Sequence, residues 1–137
     1  MSKAAIIYWT GTGNTEGMAN AIAEGLRAGG AEADVFAVSD APALDAYEKV
    51  AFGCPAMGDE VLEEAEFDPY FSAEEAKLGG KKVALFGSYG WGDGQWMRDW
   101  QDRVSVDGAL LFEEGLMANG APDEAVCAAF GERFAAF

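Results

Sequence analysis

Five short apolar runs recur along the chain, separated by loops and by segments of helical spacing, and this alternation constrains the fold more than any other feature. AAIIYW (4–9) and VAFGC (50–54) are continuous apolar stretches of strand length, as expected of strands covered on both faces. DVFAV (34–38), KVALFG (82–87) and ALLFEEGLM (109–117) read as the remaining strands. Residues 15–28 place Met18, Ile22 and Leu26 on one helical stripe. A weak helical turn is expected over 42–46, an acidic helix over about 62–77, and a helix over 95–104 with Trp96 and Trp100 one turn apart in the core. Pro122 stands near the start of a last helix, where its missing N–H costs little, and Val126, Phe130, Phe134 and Phe137 form that helix's apolar face. Strands alternating with helices imply an α/β fold: a doubly wound, five-stranded parallel sheet with helices on both faces. Right-handed crossovers leave few orders, and 2-1-3-4-5 fits the length. The 137 residues suit one domain, 1–137.

In a sheet of this order a ligand sits beyond the carboxyl ends of the strands, at the switch between strands 1 and 3. The loops at 10–14, 55–60 and 88–94 all emerge there, and each carries glycine. The first, Thr10-Gly11-Thr12-Gly13-Asn14-Thr15, joins a strand to a helix N-terminus. Free backbone N–H groups and the positive end of the helix dipole favour an anion at such a place. Lys and Arg are absent between Lys3 and Arg27, so the cradle is uncharged and suits a phosphate that is held and not transferred. A nucleotide-hydrolysing P-loop would need Gly-Lys-Ser/Thr, which is missing, and the dinucleotide fingerprint would want glycine where Glu16 stands.

The composition narrows the chemistry. The formal net charge of -15 disfavours nucleic acid and anionic membrane surfaces as partners and favours basic protein surfaces. With no histidine, the commonest general base and metal ligand is missing, so the chemistry is expected to come from something bound. Cys54 and Cys127 show no metal-ligand or CxxC spacing and read as buried free thiols, consistent with a reducing cytoplasm. No leader or membrane-spanning stretch is evident, so a cytoplasmic location is expected.

TGTGNTE (10–16), GCPAMGDE (53–60) and GKKVALFGSYGWGDG (80–94) together resemble, in order and spacing, the flavin-binding segments of the short-chain flavodoxins of anaerobic bacteria. The resemblance runs through nearly the whole chain and is weakest over about 104–121 and at the C-terminus. It implies a flavodoxin-like fold that binds FMN non-covalently. The implied cofactor contacts are Thr10, Gly11, Thr12, Gly13, Asn14 and Thr15 around the phosphate, then Pro55, Ala56, Met57, Gly58, Asp59 and Glu60, and finally Ser88, Tyr89, Gly90, Trp91 and Gly92. Trp91, between two glycines, has little local core to join and is expected to stack on the flavin ring, with Met57 covering the opposite face. Met57-Gly58-Asp59-Glu60 reads as a type II′ turn with glycine where φ is positive. By resemblance, the Gly58 carbonyl swings in to accept from flavin N5–H, and Glu60 accepts from N3–H.

The implied function is a low-potential one-electron carrier that shuttles FMN between semiquinone and hydroquinone, not an enzyme with its own substrate. Eight acids and no base lie between Lys49 and Lys77. One charge at ~12 Å with an effective dielectric of ~20 opposes an anionic ring by roughly 1.4 kcal/mol. For one electron that is on the order of 60 mV. With no cation to oppose them, several such charges push the second reduction strongly negative. By resemblance the partners are redox proteins with basic docking surfaces, namely ferredoxin-dependent oxidoreductases and reductases, and the protein is a monomer. The rival reading is an FMN-dependent NAD(P)H or quinone reductase, but insertions and a candidate acid or base are not evident. A signalling receiver domain would need an Asp at the end of strand 3, where Gly53-Cys54-Pro55 stands.

Overall fold

The apolar runs pair side by side in the computed structural model, which describes residues 3–58, 61–90 and 92–137. The elements are β1 (Lys3–Tyr8), α1 (Asn14–Ala28), β2 (Glu32–Ala37), β3 (Lys49–Gly53), α2 (Phe67–Glu74), β4 (Lys82–Tyr89), α3 (Gln95–Val106), β5 (Leu110–Leu111), β6 (Leu116–Asn119) and α4 (Glu124–Ala136). Single 3-10 turns stand at Val38–Asp40, Leu44–Ala46 and Glu75–Lys77. The sheet order is β2-β1-β3-β4-β5, and the ladders are parallel. Ile6 of β1 sits between Val35 and Ala51, so β1 is central and its carboxyl end faces that of β3.

Alternation along the strands divides the core in two. Ala4, Ile6, Ala51, Ala84 and Phe86 pack against Met18, Ile22 and Leu26 of α1 and Phe130 and Phe134 of α4. Ala5, Ile7, Val50, Phe52, Val83 and Leu85 pack against Phe67 and Phe71 of α2 and Trp96, Trp100 and Val104 of α3. Helices therefore cover both faces, as the patterning predicts. Gly25 and Gly131 let α1 and α4 approach backbone to backbone: a Cβ on Gly25 would collide with the Ala128 carbonyl, and one on Gly131 with that of Ile22. That contact is what offsets the poor helix propensity of Gly25.

Three sequence expectations change. The acidic helix is shorter, because residues 61–66 form a loop and α2 begins only at Phe67. The fifth strand is split: β5 pairs with the start of β4, and β6 with its end, Phe86 to Tyr89. Glu113 takes a left-handed φ of 51° at the break, and Phe112 turns into the core against Phe130 and Phe134. The apolar face of α4 is Cys127, Phe130 and Phe134; Val126 and Phe137 are 49% and 38% exposed. Among the described residues, no helix is long and apolar enough to cross a membrane.

Candidate cofactor site

The carboxyl ends of β1, β3 and β4 open into one cavity of about 300 Å³, near the small end of the range for ligand pockets. Gly11, Thr12, Asn14, Thr15, Pro55, Ala56, Met57, Ser88, Tyr89 and Gly90 line it, so residues from all three predicted loops meet. Thr10 and Gly13 do not line the cavity but shape its first loop: Gly13 N–H donates to Thr10 Oγ1 at 3.0 Å. Gly13 takes φ 94° and caps α1 in the left-handed region that glycine favours. Among the described residues, the backbone N–H groups of Thr12, Asn14 and Thr15 meet no protein acceptor. They lie in the loop and the first turn of α1, where helix N–H groups lack internal partners. Among the described residues no lysine or arginine lines the cavity.

Ser88 ties the three loops together. Its hydroxyl pairs with Thr15 Oγ1 at 3.0 Å, both residues being buried, and its carbonyl accepts from Ala56 N–H at 3.1 Å. Tyr89 packs on Trp96, ring centroids 5.6 Å apart, and Trp96 Nε1 donates to the Cys54 carbonyl at 3.0 Å. Trp96 is thus core, as read from its spacing, and it also fixes the point at which the second loop leaves β3.

In that second loop Met57 and Val61 exchange backbone hydrogen bonds of 2.9 and 3.0 Å. Gly58 lies at the exposed tip with φ 49°. The positive φ agrees with the turn read from the sequence; the described closing residue is Val61, one beyond Glu60. Gly92 is exposed, φ 88°, and does not line the cavity. Asp59, Glu60 and Trp91 lie outside the described residues.

Two further residues line the cavity that sequence reasoning missed, Trp9 and Gly120. Trp9 lies against Gly11, where an added Cβ would meet its ring at 3.2 Å, and its Nε1 donates to Glu66 at 3.2 Å. Its signal was an aromatic at the end of the first apolar run, next to the glycine loop; as a strand residue it looked like core. Gly120 N–H donates to the Tyr89 carbonyl at 2.9 Å, a contact that only the return of β6 creates.

The acidic run is more compensated than its sequence implies. Arg103 of α3 bonds Asp68 and Glu75 at 2.9 and 2.7 Å, and Lys77 lies 3.5 Å from Glu74. Glu63 turns inward, 8% exposed, and accepts from three backbone N–H groups. The statement that no cation opposes the run is therefore corrected: a cation from a different element meets it. A second cavity, of about 330 Å³, lies between residues 61–68 and α3, with Trp96 and Trp100 in its wall, and contains no predicted site residue.

Comparison with known proteins gives one consistent answer. The family model described as Flavodoxin matches residues 6–130. The chain is 48% identical to the flavodoxin of Clostridium beijerinckii over 134 residues, covering 95% of this chain and 97% of that protein. It is 45% identical to the flavodoxin of Megasphaera elsdenii, with 93% and 94% covered. The solution structure of two-electron reduced Megasphaera elsdenii flavodoxin superposes with a TM-score of 0.90 at 42% identity, covering 98% of this chain and 99% of that one.

Proposed function

Because the chain belongs to the flavodoxin family, and so carries electrons on bound FMN, we propose that the cavity at the carboxyl ends of β1, β3 and β4 is the FMN site of a low-potential one-electron carrier. The observation that carries this placement is Ser88, which joins the three glycine-bearing loops around one uncharged hollow. When bound, FMN supplies a ring that takes up and releases electrons one at a time.

The chain's own residues divide the work. The free N–H groups of Thr12, Asn14 and Thr15, with Gly11, Gly13 and the Thr10 and Thr12 hydroxyls, hold the phosphate without a lysine. Pro55, Ala56 and Met57 form one wall, with Met57 against a ring face. Trp91 would stack on the other face, and Ser88, Tyr89, Gly90 and Gly92 would be further cofactor contacts, Ser88 and Tyr89 completing those to the phosphate and the pyrimidine edge. Gly58, exposed and with a positive φ of 49°, would offer its carbonyl to a ring N–H. Asp59 and Glu60 follow Gly58 in the sequence; Asp59 would be a further cofactor contact and Glu60 would accept from a second ring N–H.

The working couple is the more negative of the two one-electron couples, since net charge -15 surrounds a site with no basic lining among the described residues. Partners present basic docking surfaces, as ferredoxin-dependent oxidoreductases and reductases would, and the carrier works as a cytoplasmic monomer. A reductase acting on NAD(P)H or a quinone is not favoured, because the family is one of carriers.

Fluorescence titration tests the placement. The cofactor-free chain is expected to bind FMN and quench its emission, and Trp91→Ala to weaken binding by about tenfold or more, the loss of one stacked aromatic. Equal affinity in the variant would remove Trp91 from the site.

A further inference from the structure

The loop that leaves β3 at Cys54 passes through the proposed site and returns to α2 by way of Glu63. At its tip Gly58 is exposed, and among the described residues no atom beyond its chain neighbours lies within 4 Å of where its Cβ would be. Its base is held firmly. Glu63 N–H donates to Cys54 Sγ at 3.3 Å. The Glu63 carboxylate accepts from Ala65 N–H at 2.9 Å, Glu66 N–H at 2.7 Å and Phe67 N–H at 2.9 Å, and its carbonyl from Asp68 N–H at 2.8 Å. Among the described residues no lysine or arginine pairs with it.

A nearly buried carboxylate satisfied by amides alone is costly to desolvate, and here three charge-assisted bonds offset that cost. Burial by itself would raise the carboxyl pKa; the bonds from Phe67, Glu66 and Ala65 outweigh it and hold the group below the usual range. Cys54, the other half of the clasp, is fully buried and fixed on two sides. Its N–H donates to the Phe86 carbonyl at 3.1 Å, and its own carbonyl accepts from Trp96. The exit of the loop is thereby bolted to the residue at its entry.

We propose that Glu63 is a positioning residue for the cofactor, its ionised carboxylate and its clasp on Cys54 Sγ holding the Met57–Val61 turn in the shape that meets the flavin. This rests on the FMN placement above. The turn lies two residues before the knot, and Gly58 within it is exposed, so restraint at the base bears on its geometry. A turn already ordered binds more tightly, because the cost of ordering it is not charged against binding.

Amide hydrogen exchange on the full chain without FMN reads this directly, since the Met57 and Val61 amides are the two donors of the turn. Glu63→Gln is expected to speed exchange at both by about tenfold or more, while Ile6 and Leu85 in the sheet core keep their protection. FMN affinity is expected to fall by about tenfold. Cys54→Ala, which removes the sulfur acceptor, should move the same two amides and the affinity in the same direction, and it carries the test if the Glu63 variant does not fold. Phe134→Leu is the control: it loosens α4 without touching the loop, and should leave both turn amides and the affinity as they were. Unchanged Met57 and Val61 exchange in the loop variants overturns the proposal, as does an equal loss of affinity in the control. A parent chain that takes up no FMN overturns the placement and the proposal with it. A chain that binds FMN while its turn ignores Glu63 overturns the proposal alone.

Discussion

The hydroxyl pair of Thr15 and Ser88 shows how one residue can hold a site that three loops build. Both side chains are buried, so each has the other in place of water. Thr15→Val keeps the shape and leaves the Ser88 hydroxyl without that partner, which is expected to lower stability by about 1–3 kcal/mol in urea unfolding of the cofactor-free chain. Adding Ser88→Ala removes the stranded group and should recover part of the loss. If the double variant is no more stable than the single one, the pair is not what holds the loops. The hydroxyls were legible in the sequence as phosphate-loop donors; their pairing was not, because it joins positions 73 residues apart. The cysteines show the converse. Burial pushes the thiol of Cys54 up to about 12 and that of Cys127 up to about 11, so both remain protonated at neutral pH, and the sequence reading of buried free thiols holds.

At the scale of elements, what the sequence hid is what depends on a neighbour. The helical stripe of α1 was readable because Met18, Ile22 and Leu26 face the sheet at a local period. The start of α2 was not, because the acids before it look helical and only the inward turn of Glu63 stops them. Nor was the split of the last strand, where Glu113 needs a left-handed backbone and pairs with Arg133 of α4 at 2.9 Å. Arg103 joins α3 to α2 in the same way, through Asp68, Glu75 and the face of Phe71. Beside it, Asp107 closes α3, a carboxylate at the negative end of a helix dipole. Burial, and then the nearby Glu75, push its carboxyl up to about 6 from the ordinary 3.8. Because the folded chain holds this proton more tightly than the unfolded one, the ionised group opposes folding. That penalty is full above pH 6 and gone below pH 4. Asp107→Asn is therefore expected to stabilise the chain at pH 7 by about 1 kcal/mol, a figure reduced for partial exposure. The gain should close as pH falls from 6 to 4 in a series of unfolding curves. A pH-independent difference would mean that the side chain acts through packing and not through charge.

Across the whole molecule, lysines gather at one end of the sheet. Lys3, Lys49 and Lys82 open β1, β3 and β4, at the end opposite the site. Lys49 donates to the carbonyls of Phe134 and Ala135 at 3.0 and 2.7 Å, and Lys82 to that of Phe137 at 2.6 Å, so these cations neutralise the end of α4. Lys81 is spent likewise on the carbonyls of Leu44 and Tyr47. Near the cavity end Arg98 pairs with Asp93 at 3.0 Å, and the acids of the run before Lys77 are not equivalent, because Asp68, Glu74 and Glu75 each have a cation and Glu63 has amides. Among the described residues the Glu66 carboxylate meets only the Trp9 indole, and Trp9 lines the cavity. Glu66→Gln keeps an oxygen for that indole while removing the charge, which isolates electrostatics from geometry. On Coulomb's law at an effective dielectric of ~20, the more negative potential should rise by some tens of mV. Asp68→Asn should raise it less, since Asp68 lines the second cavity and not the proposed cofactor cavity. Both shifts should shrink in 0.5 M salt, a concentration at which roughly 4 Å screens exposed charges. Spectroelectrochemical titration of parent and variants at two ionic strengths decides the matter. Equal shifts for Glu66 and Asp68 would mean that the potential answers to net charge alone, and that where each acid stands around the cavity has no bearing on how hard the carrier is to reduce.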